Sequence, residues 1–384
     1  MATINLISDT IDRDDISALC DWLKQEPTPK LTKGELTVAL EERWAGIVGT
    51  KYSLFVNSGS SAILLLLAAY KELRGFSPTI VVPALSWVTD VSSPMLLGYD
   101  VILCDCNLDD LSCDLDGLRE IFERENPDIF LSVSPLGLVP DIDAILKLCK
   151  EFNVLFIEDN CESMGSVYKG KQLGLFGYAS VFSMFHGHHL STIEGGLINT
   201  NDVELYKVMT AMRSHGWDRD WDMKTRLWER KIWDIDEFDA KYTFYYPGMN
   251  LRSTDLQAFM GLRALDKLYH FRSIRNSNFL YYLNRIETNV LKLSQRSDDI
   301  VSSFAYPIVN THRRTIVQEL MESGVEVRPL ISGSIGRQPF WINLNGIKRL
   351  PNADLCHDFG FYVPNHQGLT RDNMDTIIKI LNKY

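Results

Sequence analysis

Three histidines fall within four positions of the segment Ser183-Met-Phe-His186-Gly-His188-His189-Leu-Ser-Thr-Ile-Glu194-Gly-Gly, and no lysine occurs between Lys171 and Lys207. An imidazole can take and return a proton near neutral pH, but it cannot form the covalent imine that a lysine amine forms with a carbonyl. The chemistry open to this segment is proton transfer, or metal ligation if the rings converge. Neighbours such as His188 and His189 seldom point at one ion from regular structure, and Glu194 is the only nearby acid after them. We therefore read no metal site here and take His188 as a base. A lone histidine is also a common structural group, so its company decides the reading.

Two further segments supply that company. The apolar run Leu54-Phe-Val leads into Asn57-Ser58-Gly59-Ser60-Ser61 and at once into a helix, which places free backbone N–H groups and small hydroxyls where a phosphate binds well. An ordinary serine-capped helix start has the same appearance. The run Val154-Leu-Phe-Ile ends in Glu158-Asp159-Asn-Cys-Glu162, which sets carboxylates just past a buried strand, where they require a partner. A protonated ring nitrogen is one such partner for Asp159, and a loop carboxylate capping the next turn is the plainer alternative. Ser183 adds a hydroxyl at a third strand end.

These positions need a scaffold that brings strand ends together. Apolar runs at residues 53–56, 79–82, 101–104, 129–133, 154–157 and 180–184 alternate with helical patterns at 61–74, 115–125 and 142–152, which predicts an α/β sheet with its ligands at the C-terminal strand ends. A long helical stretch over 254 to about 285 leads to a strand at 302–309, a helix at 311–323, a strand at 325–330 and a final helix from Thr370, an α+β arrangement.

The bulk composition suits a soluble enzyme. With 384 residues, 45% hydrophobic, the chain can build a large and a smaller domain. A net charge of −11 without a basic block argues against nucleic acid as a partner. The longest apolar run, 62–70, is too short for a bilayer, and the start lacks a basic, apolar leader, so we expect no membrane association and a cytoplasmic protein. Seven cysteines without a regular framework suit free thiols. Cys104-x-Cys106 with Cys113 is the spacing closest to a cluster motif, but no fourth cysteine follows suitably, and we read Cys104 and Cys106 as alternating along one strand.

Taken together, Val82-Pro-Ala-Leu-Ser-Trp87, Glu158-Asp-Asn-Cys-Glu-Ser-Met-Gly165, the His188-His189 pair with Glu194-Gly-Gly, His215-Gly-Trp217-x-Arg219 and Asn365-His-Gln367 resemble the fold-type I, vitamin B6-dependent sugar aminotransferases and dehydratases of deoxysugar biosynthesis. The resemblance covers nearly the whole chain. It implies an aspartate-aminotransferase-like α/β large domain with a mainly parallel sheet over residues 1–255 and a small α+β domain over 256–384. It also implies pyridoxal or pyridoxamine 5′-phosphate as cofactor. In that family a lysine stands at the position of His188, so here the cofactor would be held without a covalent bond. By the same resemblance Gly59, Ser60 and Ser183 would hold the phosphate, Trp87 would stack on the ring, Asp159 would meet its nitrogen and Glu162 would lie beside it. Asn250 would reach the phosphate of a neighbouring subunit in a homodimer, and His215, Arg219, Arg252 and Arg328 would contact substrate. A related iron–sulfur family shares the histidine, but its cluster cysteines follow that residue, whereas Cys104 and Cys106 precede it.

The implied reaction is removal of the C3 hydroxyl of a nucleotide-linked 4-keto-6-deoxy sugar, GDP-4-keto-6-deoxy-D-mannose foremost, with L-glutamate as amino donor and release of 2-oxoglutarate and ammonia. The same chemistry on a GDP-heptose or another nucleotide sugar, a sugar-nucleotide aminotransferase, and a non-catalytic binding or regulatory relative are the alternatives. The segment 217–246 departs most from the family, and its Trp221, Trp228 and Trp233 would either line the sugar pocket or pack against a partner subunit.

Overall fold

The six apolar runs read as strands all belong to one seven-stranded sheet, with ends shifted by at most two residues. The computed structural model describes residues 3–384. In chain order the strands are β1 (Tyr52–Val56), β2 (Thr79–Pro83), β3 (Asp100–Cys104), β4 (Ile129–Val133) and β5 (Leu155–Asp159), then, after a short ribbon of β6 (Val167–Tyr168) and β7 (Lys171–Gln172), β8 (Ala179–Ser183) and β9 (Gly196–Thr200). Their spatial order is β1-β9-β8-β5-β4-β2-β3. Burial on both faces explains why these strands read as continuous apolar runs and not as alternating ones. The sheet is parallel except for β9, which runs against both β1 and β8.

Helices α1 (Arg13–Leu23), α2 (Glu35–Val48), α3 (Gly59–Arg74), α4 (Val88–Leu96), α5 (Leu115–Glu125), α6 (Ile142–Phe152), α7 (Val203–Met212) and α8 (Met223–Ile232) precede a 29-residue helix, α9 (Asp255–Leu283). The remainder forms β10 (Ala305–Val309), α10 (Arg313–Glu322), β11 (Arg328–Pro329), α11 (Pro339–Asn345), α12 (Pro351–Phe359), β12 (Gly360–Pro364) and α13 (Arg371–Leu381). Here β12 is the middle strand of a three-stranded antiparallel sheet between β10 and β11. The strand expected over 325–330 is only two residues long, because Val325 pairs with Ile4 in an isolated parallel bridge instead of joining the sheet.

The inserted strand β9 aligns the site. Val56 at the end of β1 and Ser183 at the end of β8 both stand opposite Gly196, so the two strand ends are level across a single glycine. A Cβ on Gly196 would lie 2.2 Å from the Ser58 carbonyl oxygen, which is why the second residue after Glu194 is glycine. On one face Trp44 packs edge-on to Phe182, with 5.0 Å between ring centroids, and donates from Nε1 to Asn199 Oδ1 at 3.0 Å. Buried Arg213 donates to Glu41 and to the Phe55 carbonyl, and Glu41 in turn accepts the Phe55 N–H, so the outer edge of β1 is clamped.

Cys104 ends β3, whereas Cys106 lies beyond it in an isolated bridge with Cys113, so the two are not side by side on one strand as expected. Both are buried free thiols.

Candidate active site

The strand ends converge on a cavity of about 330 Å³ lined by Ser58, Gly59, Ser60, Trp87, Asp159, Glu162, Ser183 and His188, with Phe304 and Tyr362 closing it from the C-terminal part of the chain. All eight expected cofactor and base residues except Asn250 are therefore in one place. A more open cleft of about 490 Å³, beside Arg313, Arg314 and Arg328, collects only one expected residue.

The floor is the start of α3. Ser58 caps the helix, its Oγ accepting from the Ser61 N–H at 3.0 Å, which leaves the first-turn amides of Gly59 and Ser60 without intrahelical acceptors. A Cβ at Gly59 would come within 2.9 Å of both Cys161 Sγ and Ser183 Cβ, so α3 approaches β5 and β8 as closely as a residue without a side chain permits. Ser60 Oγ lies 3.1 Å from Thr89 Oγ1, and Ser183 Oγ accepts from the Phe185 N–H at 3.2 Å. Small hydroxyls and open amides at a helix N-terminus make an anion cradle.

One wall is acidic. Asp159 ends β5, is buried, and accepts from the Cys161 N–H at 2.9 Å. Burial pushes its carboxyl above the usual range. Glu162 accepts from the Leu136 N–H at 2.8 Å, yet burial raises it to about 7. No lysine or arginine lines the cavity among the described residues. Buried carboxylates without a cation call for one from a ligand, or for protons.

His188 forms the opposite wall, half-buried between Phe185 and Phe304 at ring-centroid distances of 5.6 and 5.5 Å. Its Nδ1 is enclosed and has no hydrogen-bond partner. Burial, reinforced by the charge of Arg275, pushes its pKa down to about 4, so the ring is neutral at pH 7 and able to accept a proton. Its neighbours point elsewhere: His189 Nε2 bonds the Ser302 carbonyl, and exposed His186 pairs with Asp9 at 3.3 Å. Among the described residues no three His, Cys, Asp or Glu side chains converge as a metal-ligand set.

Trp87 caps α4 and stays 54% exposed at the cavity, leaving its indole face open for stacking. The remaining expected residues lie outside the cavity of this chain. Asn250 is exposed and accepts from Arg252 Nε at 3.0 Å. His215 packs on Trp217, over whose ring the Arg219 guanidinium lies at 3.6 Å, and Arg219 also donates to the Lys241 carbonyl. Arg328 is paired with Glu326 in the other cleft. Trp221 is buried against Tyr245 and bonds the Lys207 carbonyl, so it does not line the sugar pocket, while Trp228 and Trp233 are exposed on and after α8.

Among the cavity residues that sequence reasoning missed are Asp90, Phe304 and Tyr362. Asp90 was hidden because an acid three residues after a helix cap reads as part of a capping box, which it also is. Phe304 and Tyr362 carried no local signal, since only the tertiary fold brings β10 and β12 to the strand ends.

The open helix start, the cationless acidic wall and the unpartnered imidazole fit a phosphate-bearing pyridinium cofactor. A family model described as the DegT/DnrJ/EryC1/StrS aminotransferase family matches residues 10–382. GDP-4-keto-6-deoxy-D-mannose 3-dehydratase of Escherichia coli O55:H7 (strain CB9615 / EPEC) is 31% identical over 367 residues, covering 91% of this chain and 92% of that protein. A crystal structure of GDP-4-keto-6-deoxymannose-3-dehydratase with a trapped PLP-glutamate geminal diamine is similar with a TM-score of 0.88 and 29% identity, over 98% of this chain and all of that one. A His-to-Asn variant of that dehydratase with bound GDP-perosamine gives a TM-score of 0.87 at 28% identity, over 98% of this chain and 100% of the other. The match thus runs through the whole sheet, the cavity and the C-terminal strands, and the chain belongs to the DegT/DnrJ/EryC1/StrS aminotransferase family.

Proposed function

We propose that this chain is a vitamin B6-dependent dehydratase that removes the C3 hydroxyl of a nucleotide-linked 4-keto-6-deoxy sugar, with GDP-4-keto-6-deoxy-D-mannose as substrate and L-glutamate as amino donor. The observation that carries this reading is a cavity fit for the cofactor in which a neutral histidine, and no lysine among the described residues, lines the wall. The relatives named above act on or hold GDP-sugars, which supports the nucleotide.

Gly59, Ser60 and Ser183 would hold the phosphate, Trp87 would stack on the ring, Asp159 would meet the ring nitrogen and Glu162 would lie beside it. When bound, pyridoxamine 5′-phosphate supplies an amine for the C4 ketone of the sugar and a conjugated ring that accepts electrons. His188, uncharged at pH 7, takes up a proton, and Phe185 and Phe304 flank its ring and hold its orientation. With no lysine amine lining the cavity among the described residues, no side chain there competes covalently for the cofactor, and the dehydrated sugar, released as its C4 imine, takes up water to give the C4 ketone and ammonia.

The active unit in this reading is a homodimer with a shared site. Asn250 is exposed, with Met249, Leu251 and Arg252 half-buried beside it, all outside the cavity of their own chain, and among the described residues that cavity holds no lysine or arginine for a diphosphate. His215, Arg219 and Arg252 belong with Asn250 on that outward surface. Sedimentation should give a dimer, and mixed dimers of H188N with N250A should recover part of the activity that each variant lacks alone.

The direct test is incubation with pyridoxal phosphate, L-glutamate and GDP-4-keto-6-deoxy-D-mannose, followed by mass spectrometry of the sugar nucleotide. The expected product lacks the C3 oxygen, 2-oxoglutarate accumulates, and borohydride fixes no cofactor to the chain. H188N should bind cofactor yet lose about 10²- to 10⁴-fold in turnover, the usual share of a general base. An amino sugar as product would make the chain an aminotransferase.

A further inference from the structure

Asp90 is the most deeply buried acid of the cavity, with no exposed surface, and its two oxygens are used unequally. Oδ2 accepts from the Trp87 N–H at 3.1 Å, which completes the cap of α4. Oδ1 is enclosed and has no hydrogen-bond partner, and Asp90 shares the cavity wall with Asp159, the neighbouring acid that, after burial, raises its carboxyl most. Helix capping accounts for the first oxygen and leaves the second unexplained.

Two carboxyl groups in contact in a dry wall cannot both ionise, and a hydrogen bond between them requires a proton on one. The groups facing Asp90 are Asp159, Cys161 and Glu162 from β5 and the loop after it, and none is cationic. Each carboxyl accepts one backbone N–H, from Trp87 and from Cys161, but Asp90 has no exposed surface, and burial together with the charge of Asp159 pushes its carboxyl well above the usual range. The proton therefore belongs on Asp90.

We propose that Asp90 is a positioning residue for the cofactor ring: as a carboxylic acid it donates from Oδ1 to Asp159 and holds that carboxylate as the single negative charge opposite the ring nitrogen. The pair thus carries one charge to match one pyridinium. This rests on the reading of Asp159 as the partner of the ring nitrogen.

The test begins with the apoprotein, so that its outcome is independent of the cofactor. Infrared difference spectra of wild type against D90N at about pH 8 should show the carbonyl stretch of a protonated carboxyl, present in wild type and lost in the variant; ionised aspartate at its ordinary pKa near 4 gives no such band. D90S, which keeps a cap acceptor for the Trp87 N–H, serves the same purpose if D90N does not fold. A featureless difference spectrum overturns the proposal. Pyridoxal phosphate titration then separates the two readings. D159N should lose affinity about tenfold or more, as expected for a charge-assisted hydrogen bond, whereas D90N, whose amide can still donate to Asp159, should stay within about threefold of wild type. Equal losses in both variants would place Asp90 on the ring itself and overturn the positioning role. Unchanged affinity in D159N would remove the reading of Asp159 while the infrared band still decides the state of Asp90.

Discussion

Gly59 is where α3, β5 and β8 come closest, and substitution there separates packing from binding. A Cβ would meet Cys161 Sγ and Ser183 Cβ at 2.9 Å, both short side chains in a packed wall with little room to yield. G59A should lose about 1–3 kcal/mol in urea denaturation, the usual cost of overpacking, and should also show a smaller Tm gain on addition of pyridoxamine phosphate. S183A, by contrast, removes a hydroxyl whose one partner among the described residues is the Phe185 N–H, so apoprotein stability should move little while cofactor affinity falls about tenfold. His188, Asp159, Ser183 and Gly59 were legible in the sequence because each stands just past an apolar run, where a strand end must expose it. His215, Arg219, Arg252, Asn250 and Arg328 were chosen by resemblance alone, and in one chain their side chains are spent on Trp217, on each other or on Glu326.

Among the elements, α2 depends on a residue 218 positions away from Thr37. Its N-cap is Gly34, which offers no side-chain acceptor, and the first-turn donors are taken by Asp255 at the start of α9: Oδ1 accepts from Gly34 N–H at 2.7 Å and Thr37 N–H at 3.0 Å, and Oδ2 from Leu36 N–H at 3.2 Å. D255A should cost about 2–3 kcal/mol by urea denaturation, because several buried donors lose a charged acceptor at once, and D255N should recover part of it. Such a cap between distant elements leaves no trace in the local pattern. The same limit explains the strands that sequence reading missed. β12 begins at Gly360 and ends at Pro364, residues that weaken a strand pattern, and it is a strand only because β10 and β11 flank it. β9 was obscured by the glycine pair that opens it, whereas the parallel strands, buried on both faces, announced themselves as unbroken apolar runs.

At the scale of the whole molecule, buried histidines make the fold sensitive to acid. Burial lowers His188 and His366 to about 4, and His189 moves in the same direction. His366 Nδ1 accepts from the Gly368 N–H at 3.1 Å while Nε2 faces the Asn5 carbonyl at 3.0 Å, so a second proton would break one of these contacts. Because the folded pKa values lie below the ordinary 6.5, the unfolded chain binds more protons between about 6.5 and 4, and stability is lost as pH falls through that window. Burial raises Glu162 to about 7 and acts in the opposite sense, so the histidine share is read by difference: between pH 7 and 5 the urea midpoint of H366N should fall less, or rise more, than that of the wild-type apoprotein, by up to one proton in the slope. A ladder from α9 reaches the same corner: Arg275 donates to the Asn365 carbonyl and to Gln367 Oε1, both at 2.9 Å, just after β12. The position of β12 has a further consequence for a chain made from its N-terminus. β10 and β11 are synthesised first, yet neither has a neighbour in its sheet until the middle strand between them has left the ribosome. The wall that Phe304 and Tyr362 raise against the strand ends is thus the last part of the cavity to be assembled, and a nascent chain that stops short of residue 360 carries the cofactor cradle with one side still open to water.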